Sequence, residues 1–456
     1  SLRKSLPGRG TLAHMARRRS GEAHGGKRLT LVRVIVFLVV AFFIWRLKGI
    51  STPFQVDGPP NLANSKLKHH TLVPAAGSIP EKWRHQAPSN TLREMKLFHI
   101  MDAGLGRCVD GTPPAIWFRP GTTEGGKKRW IIMLEGGGQC FDEDSCLERS
   151  TYHISSSNLP EEIHMDGILG QRGLLSQELR DANAVFVHYC SSDGWHGDIE
   201  NPFPNSSEKN ELKYFRGVRV IDEVFSVLQA SGGDRVRPPG IAQLRHDHQV
   251  LFGGFSAGAR GAMVNGDRVR SQFSLPRTKL FLDSSYYVNL ADDYWIVEET
   301  KSVFNNFVSG TLGAKENSVH EWKDLLGEFR MLNLKSPFLL IASQFDSYQW
   351  TPFSDTFVHR TRNKLEALHP VNSCSVIFSN TEPVHAVGQT EKFFEQAVAE
   401  IYVHQLASAF AFGPDLQNCQ SSGKRKFIEN STKFCKKCLP KNLKGYVCLG
   451  NACPEN

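Results

Sequence analysis

Outside its first 48 residues, this 456-residue sequence lacks an excess of basic residues. Residues 1–48 contain eleven Lys or Arg residues and a single acid, Glu22, so they hold more positive charge than the net +8 of the whole chain. The rest of the chain is therefore slightly acidic in sum. This excludes a basic nucleic-acid-binding domain there, because such proteins concentrate Lys and Arg on one surface.

The sequence also lacks internal repeats and long low-complexity tracts, and 40% of its residues are hydrophobic. We therefore expect one large domain with appendages. Short apolar runs, each closed by glycine or polar residues, alternate with helical patterns such as Val218–Leu228 and Phe393–Phe410. This alternation predicts an α/β sandwich with a mostly parallel central sheet. The predicted strands are Trp130–Leu134, Ala184–Val187, Gln249–Phe252, Leu280–Leu282, Pro337–Ile341 and Ser375–Phe378.

One long apolar run, residues 29–46, follows the basic tail and is near the short end of a membrane span. Three interpretations are open: an uncleaved signal-anchor helix, a cleaved signal peptide and a buried core helix. The long basic flank and the absence of small residues at the end of the run favour the anchor. The expected localisation is that of a single-pass type II membrane protein of the secretory pathway, in the Golgi or at the cell surface. The body would be lumenal or extracellular, and would be secreted if the anchor were cleaved.

Composition then divides the chain into five segments. Residues 1–28 form the basic cytosolic tail and residues 29–46 the anchor. Residues 47–93 are predicted to form a stem or linker between the membrane and the body, since they are rich in Pro, Ser, Asn, Lys and His. The catalytic domain is predicted over 94–412, and a cysteine-rich tail over 413–456.

Ten cysteines agree with an oxidising compartment, where disulfides persist. The body and the tail each hold five, so complete internal pairing requires at least one bridge between them. A zinc site in the tail is the alternative, because the first spacing there is C-x-x-C. Asn205 and Asn430 begin glycosylation acceptor patterns. The disulfide candidates are Cys108, Cys140, Cys146, Cys190 and Cys374 in the body, and Cys419, Cys435, Cys438, Cys448 and Cys453 in the tail.

The stretch Gly254–Gly258 reads G-x-S-x-G directly after an apolar strand, which is the context of a nucleophile elbow at Ser256. A tight structural turn is the alternative. The glycine run after the strand ending at Leu134 predicts an oxyanion hole from the N–H groups of Gly137 and Gly138, completed by the N–H of Ala257. Its alternative is a flexible turn.

An acyl-transfer serine needs a base and a group that orients the base. Asp346 follows a predicted strand, as active-site residues of open α/β sheets do, although Asp283 and Asp193 are rivals. His385 lies in a loop after the next strand. The order serine, aspartate, histidine is that of the α/β-hydrolase layout.

Four ordered blocks carry a resemblance to the pectin acetylesterase and Notum family of serine carboxylesterases. They are LEGGGQC at 134–140, YCSSDGWHGD at 189–198, GFSAGARG at 254–261 and FDSYQ at 345–349, and VHA at 384–386 falls where that family has its histidine. The resemblance covers roughly residues 97 to 410.

The resemblance implies a disulfide-stabilised α/β-hydrolase-like fold. No cofactor or metal is expected, because acyl transfer by a serine requires none. The resemblance also implies Ser256 as nucleophile, His385 as general base and then acid, Asp346 as its orienter, and Gly137, Gly138 and Ala257 as the oxyanion hole. Within the YCSSD block, Asp193 and Trp195 are possible pocket residues. Their alternative role is to pack a loop that is held by a disulfide.

The expected activity is hydrolysis of O-acyl esters on extracellular or lumenal polysaccharide, and O-acetyl esters are the favoured substrate. Glycine at position 138, where Notum-like members carry tryptophan, favours the acetyl type. The alternatives are removal of a lipid acyl ester from a secreted protein, acyl transfer to another acceptor, and a non-catalytic binding protein. The expected partners are the acylated substrate and the membrane that holds residues 29–46.

Overall fold

The computed structural model describes residues 93–412 except 102–103, 166, 171–176, 206–211, 233–236, 292–293, 350–354, 372–373, 381–384, 387–406 and 409, and three short strands between 426 and 449. All of these residues belong to the second of the two units into which the chain divides, residues 79–456. The predicted segments 1–28, 29–46 and nearly all of 47–93 lie outside the described residues. No helix in the described ranges is long and apolar enough to cross a membrane.

A ten-stranded sheet forms the centre of the described residues, in the order β12-β11-β10-β9-β8-β3-β5-β2-β1-β4. The seven strands on one side, β5, β3, β8, β9, β10, β11 and β12, pair in parallel with their neighbours in that order. The other three, β4, β1 and β2, form an antiparallel edge beside β5. The strand bounds are β1 Met95–His99, β2 Ala115–Arg119, β3 Arg129–Leu134, β4 Glu162–Ile163, β5 Asn183–Val187, β6 Ile199–Glu200, β7 Tyr214–Phe215, β8 Gln249–Phe255, β9 Thr278–Asp283, β10 Phe338–Ser343, β11 Val376–Asn380, β12 Lys426–Ile428, β13 Phe434–Cys435 and β14 Cys448–Leu449.

Helices connect the parallel strands. Their bounds are α1 Glu143–Leu147, α2 Thr151–Ile154, α3 Gln177–Asp181, α4 Gly217–Gln229, α5 Ala257–Gln272, α6 Trp295–Val303, α7 Leu312–Glu316, α8 Gly327–Arg330 and α9 Asp355–Ala367. A single π-helical turn, Phe304–Val308, continues α6. Three short 3₁₀ turns lie at Gly126–Lys128, Gly167–Leu169 and Trp322–Leu325.

The predicted α/β architecture is confirmed. All six predicted strands are present, and β5 and β10 are buried at every position. Strands covered on both faces are apolar throughout, which is why they were recognisable as continuous runs. The helical pattern at Val218–Leu228 is helix α4, whereas most of the pattern at Phe393–Phe410 lies outside the described residues.

Two disulfides join body cysteines, Cys108 to Cys190 and Cys140 to Cys146. Cys374 is also disulfide-bonded. A bridge from the body to the tail stays a prediction. The boundary at residue 412 stays a prediction, but the segment beyond it contributes β12, which pairs with β11 in the central sheet.

Candidate active site

Ser256 lies in the sharp turn between β8 and α5. Its backbone has φ 53° and ψ −119°, a conformation that residues with a side chain rarely adopt. Gly258 makes the turn possible, because a Cβ on it would lie 2.1 Å from the carbonyl oxygen of Leu134. The turn is therefore strained and tightly packed, as expected of a nucleophile elbow.

The structure brings Ser256, His385 and Asp346 together from three separate loops at the carboxyl ends of parallel strands. Nε2 of His385 lies 2.7 Å from Oγ of Ser256, and Nδ1 of His385 lies 2.8 Å from Oδ1 of Asp346. Asp346 is 1% exposed and Ser256 8% exposed. These distances are within hydrogen-bond range at both contacts.

The contacts of Asp346 assign the protons of the histidine ring. Its Oδ1 also accepts the N–H of Tyr348, and its Oδ2 accepts from Nε2 of Gln349. A carboxylate surrounded by donors only accepts, so Nδ1 of His385 carries the ring proton. In the neutral ring Nε2 then carries no proton and is able to accept from the hydroxyl of Ser256.

The loop that carries His385 is fixed by a residue that sequence reasoning missed, Ser284. Its Oγ accepts the N–H of Ala386 at 2.8 Å and lies 3.1 Å from Oδ1 of Asp283. The carbonyl of Asp283 accepts the N–H of Ser256 at 2.9 Å. Asp283, the rival acid, thus supports the turn at Ser256, while Asp346 contacts the histidine.

The glycine loop after β3 lies directly beside Ser256. A Cβ on Gly136 would be 3.3 Å from Cβ of Ser256. Gly137 and Gly138 have φ 131° and 69°, conformations that favour glycine. In the described part of the chain the N–H groups of Gly137 and Gly138 have no protein acceptor, and Ala257 N–H is in the first turn of α5, which lacks intrahelical acceptors. These three donors are available for an oxyanion.

Asp193 and Trp195, the predicted pocket residues, are completely buried. Asp193 accepts hydrogen bonds from the hydroxyl of Ser191 and from the backbone N–H groups of Trp195, Gly197 and Gly217. Trp195 stacks on the ring of Tyr189. Their polar atoms are used inside the protein, which favours the packing interpretation of this block.

A second side of the site is formed by residues that the sequence did not single out. Tyr287 is 3% exposed and faces Ser256; burial raises the pKa of its hydroxyl well above the usual value, and its contact with Ser256 acts in the opposite sense. The guanidinium of Arg260 lies 4.6 Å from the centre of the Tyr287 ring. Their only signal in the sequence is weak: Tyr287 lies in the loop that follows β9, and Arg260 lies in the first turn of α5.

The mouth of the site is aromatic and charged. The Tyr348 ring lies 5.1 Å from the His385 ring and 5.2 Å from the Trp295 ring. A Cβ on Gly138 would lie 4.0 Å from Oη of Tyr348 and 3.8 Å from Nη1 of Arg149. Nη2 of Arg149, although buried, has no hydrogen-bond partner within the described residues. The space above Gly138 is thus bounded by an aromatic ring and a cation.

Comparisons with known proteins show the family and the fold of this chain. The profile of the family named Pectinacetylesterase matches residues 86–449. The chain belongs to this family. The matched range extends beyond the sequence blocks described above and includes most of the cysteine-rich segment.

Among curated relatives, the palmitoleoyl-protein carboxylesterase NOTUM of Schmidtea mediterranea is 30% identical over 53% of this chain and 47% of its own length. Pectin acetylesterase 11 of Arabidopsis thaliana is 29% identical over 53% of this chain and 59% of its own length. The chain therefore spans about half the length of the curated relatives that it matches.

Among solved structures, the Wnt deacylase Notum from Drosophila superimposes with a TM-score of 0.55 at 21% identity, covering 70% of this chain and 95% of that one. A second crystal form of the same protein gives 0.52. At this identity the likeness establishes the shared fold.

Proposed function

We propose that this protein is a serine carboxylesterase that uses Ser256, His385 and Asp346 as its catalytic triad. The observation that carries the proposal is the continuous chain of contacts from the hydroxyl of Ser256 through His385 to the buried carboxylate of Asp346. Membership of a family whose relatives are named pectin acetylesterases and carboxylesterases supports the reaction class.

In the proposed mechanism, Oγ of Ser256 attacks the ester carbonyl carbon while Nε2 of His385 takes the hydroxyl proton. The carbonyl electron pair moves onto its oxygen, which the N–H groups of Gly137, Gly138 and Ala257 hold. Collapse of this adduct breaks the bond to the alcohol oxygen, which receives the proton from His385. Water then attacks the acyl-enzyme by the same route and releases the acid and Ser256.

We further propose that the native substrate is a short acyl ester, most simply an O-acetyl ester on polysaccharide. Polar and charged groups lie around Ser256 and above Gly138, notably Tyr287, Arg260 and Arg149, whereas a long acyl chain requires an apolar pocket. The exposed ring of Tyr348 offers a flat surface on which a sugar is able to lie.

The proposed setting is the lumen or exterior of the cell, where the observed disulfides persist. Asn205 is exposed, as a glycosylation acceptor must be. The type II anchor at 29–46 and the acceptor at Asn430 lie outside the described residues and remain part of this proposal.

The test compares hydrolysis of p-nitrophenyl acetate and p-nitrophenyl octanoate by the purified protein and by Ser256→Ala, with exposed Ser231→Ala as control. We expect a preference for acetate of about tenfold or more in kcat/KM, and a loss of at least about 10³-fold in Ser256→Ala, since the nucleophile is absent. A fluorophosphonate should label Ser256 covalently.

The alternatives predict different results. Preference for octanoate would favour a lipid deacylase, and transfer of acetyl to an added glycan in place of hydrolysis would favour an acyltransferase. Absence of both turnover and labelling would favour a binding protein. Unchanged hydrolysis in Ser256→Ala would exclude the proposed nucleophile.

A further inference from the structure

Glu135 is a nearly buried carboxylate at the start of the glycine loop, directly after β3. Its side chain is 12% exposed. Oε1 accepts from the hydroxyl of Tyr152 at 2.8 Å, and Oε2 accepts from the backbone N–H of Tyr189 at 2.8 Å. Nδ1 of His188 lies 3.1 Å from Oε2. The carboxylate is therefore held by three groups that lie in two different segments.

The backbone of Glu135 is fixed as firmly as its side chain. Its N–H donates to the carbonyl of Val187 at 3.1 Å, and its carbonyl accepts from Nε1 of Trp195 at 3.0 Å. Trp195, predicted as a pocket residue, thus supports the loop from behind. Both halves of Glu135 are attached to the end of β5 and the loop that follows it.

His188 joins the carboxylate in a buried contact. Nε2 of His188 lies 3.0 Å from the carbonyl oxygen of Ser155, which only accepts. Nδ1 faces the Glu135 carboxylate, whose other partners are donors. The fully buried ring of His188 thus lies between two oxygen groups, the carbonyl of Ser155 and the carboxylate of Glu135. Removing either side chain would leave the buried polar atoms of the other without this partner.

The next three residues of the loop have no side chain with which to anchor themselves. Gly137 and Gly138 adopt positive φ angles. A glycine segment that is not held in place also populates other backbone conformations, which compete with this one. The loop is fixed again at Cys140, whose N–H donates to the carbonyl of Ser192 and whose sulfur is bonded to Cys146. Glu135 is thus the anchor on the β3 side of the oxyanion donors.

We propose that Glu135, paired with His188, is a positioning residue that holds the N–H groups of Gly137 and Gly138 toward the developing oxyanion. This inference rests on the proposed function, because an oxyanion forms only in the acyl-transfer reaction. The residue touches no reacting atom. Its effect appears in the transition state, where these donors are needed, and not in binding of the uncharged ester.

The experiment compares Glu135→Gln with the wild-type protein. Glutamine keeps the volume but presents an NH₂ group where one carboxylate oxygen accepted a hydrogen bond. The first measurement is kcat and KM for p-nitrophenyl acetate, with kcat expressed per active site titrated with a fluorophosphonate. The second is the inhibition constant of a boronic acid that forms a tetrahedral adduct with serine. We expect kcat to fall about ten- to hundredfold, KM to stay within about threefold, and the inhibition constant to rise by the same factor as kcat falls.

Asp198→Asn is the matched control. Asp198 is also a nearly buried carboxylate, 10% exposed, whose Oδ2 lies 2.6 Å from Nη2 of Arg219 and accepts the N–H of Gly313. Its loss should lower Tm without changing kcat per titrated site. Tyr152→Phe removes one of the three donors to Glu135 and should lower kcat about three- to tenfold. This variant tests the inference if Glu135→Gln does not fold.

A lower Tm in Glu135→Gln or Tyr152→Phe, with wild-type kcat and wild-type boronate affinity, would overturn the inference and leave Glu135 a purely structural residue. Absence of turnover in the wild-type protein would contradict the proposed function instead. The boronate affinities do not require turnover, so the two failures are distinguishable.

Discussion

Two aspartates of this protein, Asp346 and Asp193, have similar positions and burial but different partners. Each lies in a loop beyond a parallel strand, β10 for Asp346 and β5 for Asp193, and each is at most 1% exposed. The oxygens of each are surrounded by several hydrogen-bond donors. Burial and hydrogen bonding therefore do not distinguish the proposed catalytic carboxylate from one that packs a loop.

The partners do distinguish them. One donor to Asp346 is the imidazole of His385, which is able to gain a proton and whose other nitrogen faces Ser256. The donors to Asp193 are backbone N–H groups and a serine hydroxyl, none of which titrates in the usual pH range. Burial raises the pKa of Asp193 to about 6, yet nothing beside it is able to use its charge for proton transfer.

The largest expected effect comes from Asp346→Ala. Without the carboxylate, nothing fixes the proton on Nδ1 of His385 or stabilises the positive charge that the ring gains during attack. We expect kcat for p-nitrophenyl acetate to fall roughly 10⁴-fold, measured per site that a fluorophosphonate labels. A fall of less than tenfold would contradict the assigned role.

Asp193→Ala should give the opposite pattern and so sharpens the comparison. Its removal leaves buried donors unsatisfied, at a cost of about 3 kcal/mol, which corresponds to a Tm lowered by roughly 5 °C or more. We expect kcat per labelled site to stay within about twofold of wild type at a temperature where both proteins are folded. A large loss of kcat in the folded variant would place Asp193 in the chemistry after all.

The smallest effect concerns a third acid, Glu299. Burial raises its pKa to about 7, while Arg260 and Gln139 act in the opposite direction. The folded protein then binds more protons than the unfolded chain between about pH 4.5 and 7, so the free energy of unfolding falls as pH rises through this window.

Glu299→Gln removes that titration. The decrease in Tm between pH 5 and 7.5 should be smaller in the variant than in the wild-type protein by about 1–2 °C, a modest value because the side chain is partly exposed. Scanning calorimetry at the two pH values measures it. Equal decreases in both proteins would show that Glu299 has an ordinary pKa.

Sequence reasoning located the core of the candidate site because each part has a local signature. The glycines around Ser256 are required by one tight turn, and Asp346 and His385 follow strands that are recognisable as apolar runs. In an open α/β sheet, the residues after parallel strands meet at one edge. The contact between the three side chains therefore followed from the order of the elements.

The supporting residues could not be predicted in the same way. Ser284, Tyr287 and Arg149 have no motif of their own, since their roles depend on which loops meet at the site. The pocket and packing roles of Trp195 stayed open, because a sequence does not show whether a loop tryptophan faces a ligand or the back of another loop; its contact with Glu135 favours packing.

The sequence by itself determined the strand and helix alternation and the serine turn, because these depend on residues that are close along the chain. Only the tertiary structure decided which aspartate meets the histidine, which carboxylate is structural and what anchors the glycine loop. Those outcomes depend on contacts between residues far apart in the sequence, where a difference of a few ångströms separates a hydrogen bond from no interaction.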